Sequence, residues 1–141
     1  MKKDRIIYWT TTGIIATLMF VSALNFAFNK DMQGAFHHLG LPNWFKLELT
    51  TAKFLGVLAL VLPFAPRITK EFAYFGFGLT LVSADIAHLS SGDPVWFVAP
   101  HVTFLSILAV SYVYYHRLQD LRDGSKGADK AVRSRLYEHS V

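Results

Sequence analysis

Six polar side chains within the apolar stretches of this chain are the residues best suited to chemistry. They are Asn25, Glu48, Lys53, Asp85, His88 and His101. Lysine, aspartate and histidine can exchange protons and stabilise charge on a bound molecule. Asp85 and His88 are three residues apart, which places both side chains on one face of a helix. The set therefore predicts a ligand-binding site, with no catalytic role assigned to any member.

These residues are predicted to lie at a similar depth in a membrane. An ionisable side chain inside a bilayer costs a few kcal/mol, so it turns towards the interior of a helix bundle and finds a partner. Counting from the helix ends predicts one polar pocket, in the outer half of the bundle, that contains all of them except Glu48. Lys53 is predicted to pair with Asp85, because a carboxylate opposes the loss of a lysine proton. Glu48 lies five residues from Lys53 and is expected to reach outer water.

Four apolar stretches carry these side chains and fill most of the 141 residues. They run from Ile6 to Phe28, Trp44 to Leu62, Glu71 to Leu89 and Val95 to Tyr115. A membrane-spanning helix needs about 20 mostly apolar residues, and each stretch approaches or meets that length. A soluble helical bundle is the alternative, but its helices alternate between polar and apolar faces, whereas residues 57–62 and 104–110 are apolar all round.

Short turns rich in glycine and proline separate the stretches and force neighbouring helices to run antiparallel. The sequence thus predicts an all-α fold, a four-helix transmembrane bundle with up-down-up-down order. Residues 1–116 would form this domain. Residues 117–141 are rich in charged and small residues and are predicted to form a cytoplasmic tail, partly helical or disordered.

The distribution of basic residues predicts the orientation. Lys and Arg cluster before the first stretch, between the second and third, and after the fourth, whereas the opposite side has only Lys30 and Lys46. Because such residues prefer the cytoplasmic side, both termini of this multi-pass protein are predicted to be cytoplasmic, in the cell membrane. Topology accounts for the net charge of +4, so the predicted partners are the lipid bilayer and a membrane protein or a second copy, and no nucleic acid.

The absence of cysteine limits the chemistry of the chain. The chain itself has no residue for thiol–disulfide exchange, an iron–sulfur cluster or a zinc–cysteine site. His88, His101 and an acid are acceptable ligands for zinc, copper or iron, but their spacing matches no metal signature. No metal is therefore predicted, and metal binding remains an alternative.

Several short motifs in order resemble the DoxX-like family of small four-helix membrane proteins. They are Tyr8-Trp9-Thr10, His38-Leu39-Gly40-Leu41-Pro42, Lys53-Phe54-Leu55-Gly56, Glu71 to Phe77, Ala84 to Leu89 and Ser91 to Pro94. The resemblance covers about Tyr8 to Tyr115. Lys53 and His88 are the two residues that match the family pattern most clearly. Relatives often have an acid where this chain has Thr80 and a small residue where it has Asp85. The resemblance implies the fold and a membrane location, and its namesakes are linked to quinone-dependent sulfur oxidation.

Three functions fit these residues. The first is a redox-accessory subunit whose outer pocket binds a small lipophilic molecule, a quinone being the natural cofactor candidate. Lys53 or His88 would then hydrogen-bond a carbonyl oxygen of that molecule. The second is a non-catalytic factor for the assembly or stability of a membrane complex, in which the polar side chains only fix helix register. The third is a proton-coupled transporter of small molecules.

Overall fold

The computed structural model of the protein describes residues 2–138, which contain helices and no strands. In chain order the elements are α1 (Lys2–Phe28), α2 (Asp31–His38), α3 (Asn43–Val61), α4 (Arg67–Ser90), a 3₁₀-helix (Val95–Phe97) and α5 (Val98–Glu138). The predicted all-α class is confirmed. The number of helices differs from four because a short additional helix, α2, forms between the first and second apolar stretches.

Proline residues mark where the elements begin. Pro42, Pro66 and Pro94 stand immediately before α3, α4 and the 3₁₀-helix. Proline has no backbone N–H and a fixed φ, so it separates helices and is tolerated only near a helix start. Pro100 lies in the first turn of α5. Its missing N–H costs nothing there, because the first N–H groups of a helix have no intrahelical partner.

The four long helices form a closed ring of contacts. α1 packs against α3 and α5, and α4 packs against the same two helices. Tyr8 near the start of α1 contacts Tyr115, whereas Thr12 meets Ser111 earlier along α5. α1 and α5 are therefore antiparallel, and contacts in the same opposing order relate α3 to α4 and α4 to α5.

The centre of the ring combines apolar packing with a chain of buried hydroxyl groups. Ile15, Leu60 and other apolar side chains form the core. Ser111 Oγ lies 2.7 Å from Thr12 Oγ1 and 2.8 Å from the Tyr74 hydroxyl. Each hydroxyl is satisfied by another, as buried polar groups require. This chain joins α1, α4 and α5.

The outside of the ring is apolar. Large side chains such as Phe72, Phe75 and Ile86 are exposed on α4, and similar residues are exposed on the other long helices. By length and composition, three helical segments are long and apolar enough to cross a membrane: Lys2–Phe28, Arg67–Ser90 and Val95–Leu136. The third segment combines the 3₁₀-helix with most of α5. α3 is the exception, since its 19 residues include Lys46, Glu48 and Lys53. An apolar surface this extensive is typical of a membrane protein.

Close packing of α3 on α4 depends on Gly56. A Cβ atom placed on Gly56 would lie 2.6 Å from the ring of Phe77, which is itself buried in the core. Gly78 is in ordinary contact, with Leu108 at 3.8 Å, and a Cβ atom on Gly76 would meet nothing within 4 Å. Of these three glycines, only Gly56 is required for a close helix–helix approach.

Replacing Gly56 should therefore separate α3 from α4. Gly56→Ala is expected to lower the free energy of unfolding by about 1–3 kcal/mol, because the added methyl group must displace the buried ring of Phe77. Gly76→Ala is the matched control and should be neutral or slightly stabilising, since alanine favours a helix. Thermal unfolding of the two variants in mild detergent measures the difference. Equal melting temperatures would contradict the close packing.

Candidate functional site

Two glycine-capped turns meet at one end of the ring. Following the orientation predicted from the sequence, we call this the outer end, and the opposite end, where α1 begins, the inner end. Gly40 follows α2 with φ +71°, and Gly92 follows α4 with φ +76°. In each turn the glycine N–H and the next N–H return to carbonyls of the last helical turn. This Schellman arrangement needs the left-handed backbone that glycine adopts without strain.

The turn after α4 brings Asp93 back over its own helix. The Asp93 N–H donates to the His88 carbonyl at 3.0 Å. The His88 Nδ1 donates to Asp93 Oδ2 at 2.6 Å, and His38 Nε2 at the end of α2 donates to Asp93 Oδ1 at 2.9 Å. Asp93 therefore joins α2 to α4. The hydrogen bond from His88, and then that from His38, hold the pKa of Asp93 below its ordinary value of 3.8.

A second histidine–aspartate pair lies beside the first. His101 Nδ1 on α5 donates to Asp85 Oδ1 on α4 at 2.7 Å. The imidazole rings of His88 and His101 stack with centroids 5.8 Å apart and planes 24° apart, and Phe97 stacks on His88 at 5.3 Å. The outer cluster is the name used below for His38, Asp85, His88, Asp93 and His101.

The hydrogen bonds of the outer cluster determine what its histidines can do. A carboxylate oxygen only accepts, so His88 and His101 each carry a proton on Nδ1. In the neutral ring the Nε2 atom then has a free lone pair, and in the protonated ring it is a donor. The side chains of His88 and His101 are 20% and 23% exposed, so a ligand can reach them. The pair can thus hold, give or take a proton at two neighbouring positions.

Lys53 lies apart from the outer cluster. It is only 5% exposed, and its Nζ donates to Ser22 Oγ at 2.8 Å and lies 3.7 Å from the centre of the Phe26 ring. A hydroxyl group and the negative face of an aromatic ring thus replace the expected pairing with Asp85. Lys53 joins α3 to α1, whereas Asp85 joins α4 to α5.

The other two sequence-predicted residues are on the surface. The amide of Asn25 donates to the carbonyl of Val21 one turn earlier, at 3.1 Å. Glu48 is exposed, as expected for a side chain that reaches outer water. Of the predicted pocket, the structure brings together Asp85, His88 and His101, and it places Lys53 and Asn25 outside that cluster.

Two members of the outer cluster, Asp93 and His38, were missed as site residues. Both belong to motifs of the family resemblance, His38-Leu39-Gly40-Leu41-Pro42 and Ser91 to Pro94, but neither lies within the four apolar stretches. The glycine that follows each helix end was the available signal, because a Schellman turn folds the next residue back over the helix. Among the side chains that the structure describes, no three His, Cys, Asp or Glu residues are arranged to hold a metal ion.

The model of the DoxX-like family matches residues 9–111, well over half of the chain, and this range includes the whole outer cluster. No curated protein and no solved structure matches the chain.

The lowered pKa of Asp93 makes the outer end sensitive to acid. The stabilisation it supplies is complete above pH 3.8, the ordinary pKa, and is lost as the pH falls through the lowered value. We expect Asp93→Asn to melt at a lower temperature than the wild type at pH 6, and the difference between the two proteins to shrink as the pH falls below 3.8.

Melting temperatures in detergent between pH 7 and pH 3, with the emission of Trp96 beside the turn as a local probe, measure this convergence. Asp120→Asn removes an exposed acid of α5 and serves as the control, with no expected change at pH 6. A constant difference between Asp93→Asn and wild type at every pH would contradict the assignment.

Proposed function

The chain belongs to the DoxX-like family, and from this premise we propose that it is a redox-accessory protein whose outer cluster binds a small lipophilic molecule, a quinone being the class that fits best. In this proposal it is a multi-pass protein of the cell membrane with four spanning helices, α3 included, and cytoplasmic termini. The charged part of α5 beyond residue 116 then lies in the cytoplasm. The proposal rests on one observation above all, the pair of stacked imidazoles held by carboxylates.

The geometry of the pair suits a carbonyl compound. An imidazole whose Nδ1 is bound to a carboxylate has a fixed orientation, and its Nε2 is directed by the ring rather than by solvent. His88 and His101 are such rings, 5.8 Å apart. Protonated at Nε2, each donates to a carbonyl oxygen and stabilises negative charge that develops there. The stacked rings of Phe97 and His88 add a flat surface against which a planar molecule can pack.

A quinone meets these requirements better than other lipophilic molecules do. It is planar, it carries two carbonyl oxygens, and its reduction to a quinol takes up two electrons and two protons. The two histidine–aspartate pairs can supply those protons locally. The chain has no cysteine for an iron–sulfur cluster, so the electrons would come from a redox partner or a bound cofactor.

The surroundings of the outer cluster suit a ligand that arrives from the bilayer. Trp44, Val95 and Trp96 are large, exposed and near the outer helix ends. Tryptophan favours the boundary between membrane and water, where a lipophilic ring with polar oxygen atoms also concentrates. A quinone would then reach His88 and His101 laterally, without crossing the polar turns.

Short-chain quinones should bind the purified protein and lose affinity when the outer cluster is changed. Titration with a water-soluble quinone, followed by quenching of tryptophan emission, gives the dissociation constant. His88→Ala and His101→Ala should each weaken binding about tenfold or more, since a hydrogen bond to a charged donor is worth about 1.5–3 kcal/mol. His37→Ala is the control, because His37 is exposed and next to His38 but outside the cluster.

Each variant must elute as a single species before it is compared with the wild type. Equal dissociation constants for the wild type and the three histidine variants would contradict a quinone site at the outer cluster. Loss of folding in His88→Ala and His101→Ala would be resolved with His88→Phe and His101→Phe, which keep a stacked ring but no hydrogen-bonding group. Unchanged binding in those variants would also refute the proposal.

An assembly factor for a membrane complex is the second candidate, and the length of α5 favours it. The helix continues to Glu138, through most of the segment predicted to be a partly helical or disordered tail. Residues 120–136 are exposed throughout, and Leu121, Val132 and Leu136 lie on one side of this extension at helical spacing. An exposed helix with two internal glycines is intrinsically weak. A protein partner that covers this stripe would stabilise it.

Charges placed on the stripe test the assembly role. Val132→Asp together with Leu136→Asp should reduce the size of the detergent-solubilised complex on a native gel, because a charge cannot be buried unpaired in an apolar interface. Lys130→Gln with Ser134→Asp changes the net charge equally on the opposite side of the same helix and should leave the size unaltered. A complex of unchanged size in the first variant would contradict the assembly role. If the quinone affinity of that variant is also unchanged, the quinone proposal is unaffected.

A further inference from the structure

A cavity of 780 Å³ lies at the inner end, between the start of α1, the turn before α4 and the part of α5 that follows Tyr115. We propose that it binds the phosphate headgroup of an anionic lipid from the leaflet at that end. The site is independent of the outer cluster and lies at the opposite end of the bundle. Its volume is within the range of about 300–1,000 Å³ typical of ligand sites.

Positive charge converges on this cavity. Its lining includes five basic side chains and no acidic one: Lys2, Arg5, Lys70, Arg122 and Lys126. None of the five forms an ion pair with a carboxylate of the described residues within 4 Å. Nearby acids have other partners, since Asp123 contacts Arg67 at 3.9 Å and Glu71 contacts His116 at 3.0 Å. A group of uncompensated cations at a membrane surface attracts anionic headgroups.

Lys70 lies in the wall of the cavity and is buried in the helix bundle. It is buried at the start of α4, and its Nζ donates to the carbonyl of Leu60 near the end of α3 at 2.9 Å. One hydrogen bond fixes the ammonium group and leaves two further N–H donors for a ligand. A buried lysine without a carboxylate partner is costly, and an anionic ligand would offset that cost.

An unused hydroxyl group lies at the wall of the same cavity. Tyr115 lines the cavity and is 3% exposed, and its hydroxyl has no hydrogen-bond partner among the described residues. Gln119, one turn further along α5, is near the hydroxyl but outside hydrogen-bond geometry. Buried polar atoms rarely remain unpaired, so an orphaned hydroxyl beside a basic cavity indicates that an acceptor is bound there. A phosphate oxygen is such an acceptor.

Most of the remaining lining is apolar or aromatic, with Gln119 and Ser125 as the polar exceptions, and this lining suits a lipid better than a free phosphate ion. Trp9, Pro63, Leu118 and Leu121 lie around the basic group. An indole ring and leucine side chains suit the glycerol and upper acyl region of a lipid. Basic residues at this end are expected from topology alone. Topology does not require them to share one cavity with a buried unpaired hydroxyl.

Lipid retention measured by native mass spectrometry tests the site. The purified full-length protein would be stripped of lipid and exposed to equal amounts of phosphatidylglycerol and phosphatidylcholine in detergent. We expect one phosphatidylglycerol molecule to bind, and Arg5→Gln with Arg122→Gln to weaken it about thirtyfold, from about fivefold per basic residue near a membrane surface. Arg133→Gln with Arg135→Gln removes the same charge from the far part of α5 and should change binding less than threefold.

Tyr115→Phe provides the second variant. It should weaken phosphatidylglycerol binding about tenfold while leaving the melting temperature of the lipid-free protein unchanged, since the hydroxyl has no partner to lose. Unchanged binding in Tyr115→Phe and in the Arg5 and Arg122 variant would overturn the proposal. Equal weakening by the Arg133 and Arg135 variant, or equal binding of phosphatidylcholine, would do the same. Displacement of the lipid by inorganic phosphate at similar concentration would show a phosphate-ion site instead.

Discussion

Hydrocarbon offers no water to hydrogen-bonding groups, and the rest of this structure depends on how the helices satisfy those groups themselves. Many hydroxyls bond within their own helix, as Thr80 does to the carbonyl of Gly76 at 2.8 Å. Others bond between helices, and the Thr12, Ser111 and Tyr74 chain ties three of them together at the core. These bonds fix the helices relative to one another. The polar side chains at the two ends of the bundle are therefore not needed to hold the core together and can interact with ligands.

The ends differ in the charges that they concentrate. At the outer end carboxylates orient imidazoles, and Asp93 gathers His38 and His88 from two helices. At the inner end basic side chains surround a cavity without a carboxylate partner, beside the unpaired hydroxyl of Tyr115. The first arrangement suits proton exchange with a carbonyl compound. The second suits a fixed anion, and a lipid bound there would brace the junction between α1 and the long α5 helix.

Much of the fold could be predicted from the sequence, because length and continuous apolarity determine spanning helices directly. α2 could not, since eight residues of mixed polarity have no such signal and Phe36 packs on Phe26 of α1. Depth correctly grouped Asp85, His88 and His101, but depth does not specify the angle around each helix. For that reason the prediction that Lys53 pairs with Asp85 was wrong. Asp85 accepts from His101, and Lys53 contacts Ser22 and the ring of Phe26.

Photo-crosslinking is the most direct test of the outer cluster as a ligand site. A quinone analogue with a photoreactive group would be irradiated with the protein in lipid nanodiscs, and the labelled residues located by peptide mass spectrometry. We expect the label to be concentrated on residues 85–101 and to be lost when excess unmodified quinone competes. Label spread along the lipid-facing sides of the helices, or concentrated at the inner cavity and insensitive to competition, would contradict a quinone site at the outer cluster.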